Sequence, residues 1–251
     1  MSNDTLRGHT HVLEVWGDFA CFTRPEAKVE RYSYAIITPS AARGIFDAIY
    51  FKPGYGFYWQ IETIELLSLP RYIALRRNEV KNRVPPDRTI HTWMRGTQEP
   101  KPIWADGTKD SLGSDQEGRT QRQTMALKNV RYRLHAHMCL RKGGTGDLTE
   151  MQAQFKRRAE QGKCFHQPYF GCREFPAWFT QELSDAKPVA MDMDYGWMVY
   201  DVFDLSQSNG WDVSPSISLF EAQLRNGRIA VPSYTSPEVR KNVVIAEQDH
   251  A

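Results

Sequence analysis

The chain has 251 residues, of which 41% are hydrophobic, 12% aromatic and 25% charged, an ordinary globular composition that excludes a disordered polar tract. No apolar run reaches the ~18 residues of a membrane-spanning helix, and Met1 to Arg7 lacks the apolar segment of a secretory leader. A net charge of +2 hides an asymmetry: Arg71 to Lys142 carries 16 Lys/Arg against 7 Asp/Glu, a net of +9, whereas Glu174 to Glu221 carries 1 against 9, a net of −8.

In chain order, His11 to Trp16 mixes β-formers into an apolar run and predicts a buried first strand, with a turn or bulge at Gly17-Asp18. Ser40 is the expected N-cap of an amphipathic helix whose apolar face is Ala41, Ala42, Ile45, Phe46, Ala48 and Ile49. Arg43, Asp47 and Tyr50 share its polar face, and Pro53 stops it. Tyr58 to Leu67 predicts a second strand. From Pro70 to Thr124 there is little periodicity, and the segment reads as a long functional insertion.

Val130 to Leu140 alternates: Val130, Tyr132, Leu134, Ala136, Met138 and Leu140 face the core, while Arg131, Arg133, His135, His137 and Arg141 make an outward cationic face. Gly143 to Gly146 is a flexible turn without the following residues of a phosphate-binding loop. Thr149 and Gln152 form a capping-box pattern for a second helix carrying Lys156, Arg157 and Arg158, and Gly162 suits its C-terminus. This β-α-β-β-α-β order predicts an α+β, ferredoxin-like RNA-recognition domain with a long insertion over residues 1–190. A small antiparallel β-domain follows over residues 191–251.

The basic middle has two readings: an electrostatic footprint for a polyphosphate partner, or attraction to the acidic segment within the fold. Arg76, Arg77, Lys81, Arg83 and Arg122 from the insertion, with Lys156 to Arg158, are the candidate RNA track. Tyr50 reads equally as a tyrosine at the core edge beside Phe46 or as an acid–base group. In the second case Arg43 and Lys52 are expected to favour its phenolate and to stabilise a phosphorane. No cysteine pair has zinc-ribbon spacing, and the free thiols Cys21, Cys139, Cys164 and Cys172 fit a reducing cytoplasm. His135 and His137 share a strand face but have no adjacent carboxylate or thiol, so neither a metal nor another cofactor is expected.

Several segments resemble the CRISPR-associated family five, subtype I-C. They are V-W-G-D-F-A-C-F-T-R-P-E from Val15, A-A-R-G-I-F-D-A-I-Y-F-K-P from Ala41, R-R-N-E-V from Arg76, G-C-R-E-F-P from Gly171 and T-S-P-E-V-R from Thr235. The resemblance implies metal-free cleavage of precursor CRISPR RNA within its repeat hairpin, leaving a 2′,3′-cyclic phosphate. It also implies retention on the 5′ handle beside the other subunits of a type I-C interference complex, with duplex DNA as a further partner to test. Tyr50 falls on the family's catalytic tyrosine. The family's Lys-His pair before the second helix is replaced here by Gly146-Asp147-Leu148-Thr149-Glu150-Met151. The proton donor is therefore unassigned, and Lys156 and His166 are the neighbours in sequence. A non-catalytic handle-binding subunit is the alternative; a metal-dependent hydrolase using His91, His135 and His137 is a third reading.

Overall fold

The computed structural model describes residues 7–27, 29–80, 84–101, 119–207 and 215–241. Strand β1 runs from His11 to Ala20, longer than its sequence suggests, because Gly17 stays in the ladder opposite Val130. A Cβ at Gly17 would meet the Phe170 ring at 2.9 Å and the Pro176 carbonyl at 2.8 Å. The glycine thus permits close packing rather than a turn.

Helix α1 spans Pro39–Ile49 and starts earlier than expected. The Thr38 hydroxyl, not Ser40, accepts from the Ala41 amide at 3.2 Å, and Pro39 occupies the first turn, where no intrahelical donor is needed. A 3₁₀ turn at Pro53–Tyr55 leads into β2, Phe57–Leu66. The stretch expected to be irregular holds two elements, β3 at Arg71–Val80 and α2 at Asp87–Met94, and runs into the long strand β4, Arg119–Leu140. Alternation in β3 is hidden from sequence because its more buried face is Ile73, Leu75, Arg77 and Glu79, only half apolar.

Helix α3, Leu148–Glu160, is capped by the Asp147 carboxylate, which accepts from the Thr149 amide at 2.7 Å. The anticipated Thr149–Gln152 box does not form; Gln152 is turned inward and accepts instead from the His9 amide at 2.7 Å. Gly162 has φ of +63° and closes the helix as expected. Strands β5 (Trp178–Thr180), β6 (Met193–Asp201), β7 (Ser218–Arg225) and β8 (Arg228–Ala230) complete the chain.

The sheet order is β5-β1-β4-β2-β8-β7-β6, with β3 paired to β4 off this path. Strand β8 pairs antiparallel with β2 through Thr63–Ala230 and Ile64–Ile229. Strand β8, beyond the expected boundary at residue 190, thus prolongs the sheet of the first strands. The compact units are residues 1–73 with 125–251, and residues 74–124. In the first, α1 and α3 pack beside each other around Trp59, whose ring lies 4.9 Å from Phe46 and 4.6 Å from Phe155. Among the described residues no helix is long and apolar enough to cross a membrane.

Candidate functional site

The end of α1 is where sequence and structure meet most closely. Backbone carbonyls at a helix C-terminus lack intrahelical donors and need other partners. Here the Ala48 carbonyl accepts from the Phe165 amide at 2.7 Å, the Ile49 carbonyl from Arg158 Nη1 at 2.9 Å, and the Tyr50 carbonyl from Trp59 Nε1 at 3.1 Å. Tyr50 is the C-cap, with extended backbone at φ −151°. Its ring lies nearly parallel to Phe57, centroids 6.0 Å apart, and is only 3% exposed. Three independent hydrogen bonds thus fix the turn that aims this side chain.

The electrostatics reverse the sequence expectation. Burial raises the Tyr50 pKa above its ordinary 10; Tyr55 and Glu150 push it further up, and only Arg158 opposes them. Arg43, expected to lower it, is engaged elsewhere. Its Nε donates to Asp201 at 2.7 Å and its Nη1 to Asp47 at 2.5 Å, with the side chain 16% exposed. A phenol whose pKa is raised keeps its proton at neutral pH.

Beside it, Lys52 is exposed, and its Nζ donates to the Tyr55 hydroxyl at 3.4 Å while lying 4.8 Å above that ring. The glycine turn expected from sequence builds the facing wall. The Tyr55 carbonyl accepts from the Thr145 and Gly146 amides at 3.2 and 3.3 Å. A Cβ on Gly144 would sit 2.6 Å from the Gly56 carbonyl oxygen, so only glycine permits this approach. Of the three groups Lys52 is exposed, Tyr55 half-buried and Tyr50 nearly enclosed, and an ammonium beside a phenol is a pair that can hold an anion.

The other expected contacts separate. His166 is exposed and lines a cleft of about 720 Å³ together with Arg24, Arg43, Asp47 and Tyr169. On α3, Lys156 and Arg157 are exposed, with Glu160 3.8 Å from the Lys156 ammonium and Gln154 accepting from Arg157. Arg158 points inward to α1. In residues 74–124, Arg76 is exposed, Arg77 donates to the Thr124 hydroxyl at 3.2 Å, and Arg122 lies 3.6 Å from Glu79. Lys81 and Arg83 lie outside the described residues.

The outward face of β4 is not a free cationic surface. Glu14, 1% exposed, accepts from Arg131 Nε at 2.8 Å, Arg133 Nη2 at 3.3 Å and the Ser184 hydroxyl at 2.8 Å. Arg133 also donates to Glu65 at 2.9 Å, and His137 Nδ1 is 3.2 Å from Glu62. These acids come from β1 and β2 across the sheet, so the strand's own sequence could not announce them. Burial would raise the Glu14 pKa, but Ser184 and Arg131 outweigh it and hold it below 4.5. Glu14→Gln should cost about 2 kcal/mol by leaving the Arg131 guanidinium without its carboxylate and Arg133 with Glu65 alone. A folded pKa below the unfolded one gives stability present above pH 4.5 and lost as pH falls through the lower folded value. The gap between wild-type and variant melting temperatures should therefore close below that pH.

Among the described residues no group of three or more His, Cys, Asp or Glu could hold a metal ion. His135 and His137 instead face Glu65 and Glu62.

The α+β fold, with its largely antiparallel sheet, is shared by CRISPR-associated proteins. A crystal structure of one aligns with a TM-score of 0.61 over 95% of this chain and 100% of the other, at 17% identity. The Streptococcus mutans protein SMU1763c, described as functionally uncharacterized, aligns at 0.59 over 94% and 100%, at 18% identity.

The chain belongs to the Cas5d family: the model for CRISPR-associated protein (Cas_Cas5), Cas_Cas5d, matches residues 10–232. The protein named CRISPR pre-crRNA endoribonuclease Cas5d of Mannheimia succiniciproducens is 38% identical over 238 residues, 91% of this chain and 97% of the relative. The protein of the same name from Thermus thermophilus is 38% identical over 190 residues, 76% and 72% of the two chains.

Proposed function

We propose that this chain is an endoribonuclease that cleaves precursor CRISPR RNA within its repeat and stays on the 5′ handle as a subunit of a type I-C interference complex. The observation that carries the reading is the 38% identity, over nearly all of both chains, to a protein named a pre-crRNA endoribonuclease. The strand order β5-β1-β4-β2, with α1 and α3 as the intervening helices, supports a ferredoxin-like reading of the RNA-recognition half.

In the mechanism, the 2′-hydroxyl of the nucleotide before the cut attacks the adjacent phosphorus, giving a 2′,3′-cyclic phosphate and a free 5′-hydroxyl. The nucleophile belongs to the substrate, so no metal-bound water is required. The protein supplies alignment and hydrogen bonds to the phosphorane. Tyr50, kept protonated by its burial, donates to a phosphorane oxygen, and Lys52 places positive charge beside it. Arg76, Arg77, Arg122, Lys156, Arg157 and His166 are carried forward as RNA contacts, and duplex DNA as a further partner. The low exposure of Tyr50, 3%, favours a second reading, a handle-binding subunit without catalysis.

Purified protein in excess chelator should cut repeat RNA and leave a cyclic phosphate, and should leave intact the same RNA with one 2′-deoxynucleotide at the cut. Dependence on added metal would sink the mechanism. Intact RNA bound tightly under all conditions would establish the non-catalytic reading.

A further inference from the structure

Cleavage of a phosphodiester at neutral pH needs a proton for the departing 5′-oxygen, which as an alkoxide is a poor leaving group. Tyr50 alone does not meet both demands, since a single O–H cannot serve a non-bridging oxygen and the leaving oxygen at once. The neighbouring phenol is placed for the second. Lys52 donates to the Tyr55 oxygen at 3.4 Å and so occupies an acceptor site of the hydroxyl. Among the described residues nothing accepts the Tyr55 O–H in return. The residue is half-buried and held by its own carbonyl, which takes the two amides of Thr145 and Gly146, and by the Gly146 backbone, where an added Cβ would lie 2.9 Å from the Tyr55 Cβ. A phenol on an anchored backbone, with a cation on its lone pair and an unused proton, is a donor awaiting an acceptor.

Resting on the endoribonuclease reading, we infer that Tyr55 is the catalytic proton donor to the 5′-oxygen, and that Lys52 is the residue that positions it. The 2′-oxygen–phosphorus bond forms as the phosphorus–O5′ bond breaks. The electron pair of the broken bond goes to O5′, which takes the Tyr55 proton, and the 2′-hydroxyl proton leaves to solvent water. The Tyr55 phenolate regains a proton from the Lys52 ammonium, which recovers one from solvent. No oxidant, metal or cofactor enters the balance. Lys52 stands out in sequence beside Tyr50, but Tyr55 carries no signal of its own. The Pro53-Gly54 turn brings a lysine and a tyrosine three residues apart into contact.

The test compares single-turnover cleavage of repeat RNA with that of the same RNA carrying sulfur in place of O5′ at the cut, since a thiolate departs without protonation. Tyr55→Phe should slow the oxygen substrate roughly 100-fold or more and cleave the sulfur substrate close to the wild-type rate. Lys52→Met should slow both substrates, because its charge also serves the phosphorane, and the oxygen substrate more than the sulfur one. Tyr50→Phe should stay slow on both, since its bond is to the phosphorane. RNA affinity of Tyr55→Phe should equal that of the wild type. Unchanged cleavage of the oxygen substrate by Tyr55→Phe, or equal loss on both substrates, would overturn the assignment. A wild-type protein that cuts neither RNA would sink the endoribonuclease reading together with this one, which separates the two failures.

Discussion

Tyr50→Phe should lower single-turnover cleavage of repeat RNA by roughly 10²- to 10³-fold and leave the melting temperature nearly unchanged. The ring that stacks on Phe57 is kept, so the packing is preserved and only the hydroxyl is lost. The pH dependence separates the two roles this side chain could play. A phenolate base would give a rate that rises with pH until the tyrosine is ionised. A donor gives a rate that is insensitive to Tyr50 until its proton is lost. Burial, aided by Tyr55 and Glu150, holds that point above the ordinary value of 10. The ratio of wild-type to Tyr50→Phe rates should therefore be flat from pH 6 to pH 9. A ratio that climbs tenfold per pH unit across that window would return Tyr50 to the role of base.

What could be read from sequence follows the range of the signal. The alternation of Val130 to Leu140 and the helical stripe of α1 are local, and both elements formed; the core positions of β4 are buried, from Leu140 at 9% to Leu134 and Ala136 at 0%. Signals that depend on a partner far along the chain were illegible. The basic outer face of β4 looked free because Glu14 and Glu65 sit on other strands, 119 and 68 residues from Arg133. Arg43 looked like a neighbour of Tyr50 on one helix stripe, yet Tyr50 leaves the helix with extended backbone and Arg43 finds Asp201, 158 residues away. Caps were misplaced because a hydroxyl or carboxylate two residues upstream, Thr38 or Asp147, serves equally well and only the backbone angle decides. The Lys52–Tyr55 contact was missed for a different reason. It is local, but it depends on a 3₁₀ turn that periodicity does not report.

The second large effect belongs to the cluster that removed Arg43 from the expected RNA surface. Arg43 lies between two carboxylates, Asp201 at 1% side-chain exposure and Asp47 at 18%, and one Asp47 oxygen is buried without a partner. Asp201 sets a second negative charge beside Asp47, against the cations of Arg43 and Arg141. Burial raises the Asp47 pKa from 3.8 to about 6 even though Arg43 opposes it. A folded pKa above the unfolded one gives stability that is complete below pH 3.8 and lost as pH rises through about 6. Asp47 should therefore make the wild type more stable at pH 5 than at pH 8, and Asp47→Asn should abolish that part of the dependence. Arg43→Met removes the cation that hydrogen-bonds both acids and leaves them only the more distant charge of Arg141 among the described residues. It should cost about 3 to 5 kcal/mol at pH 8, read as a fall in melting temperature. Much of that loss should return at pH 5, where the stranded carboxylates take up protons. If Arg43 instead served the RNA track that its sequence position suggested, Arg43→Met would weaken RNA binding at an unchanged melting temperature, with a shallower dependence of affinity on salt. The bidentate contact with Asp201 favours the structural role, because a guanidinium paired at 2.7 and 3.1 Å with a buried carboxylate has little charge left to offer a phosphate.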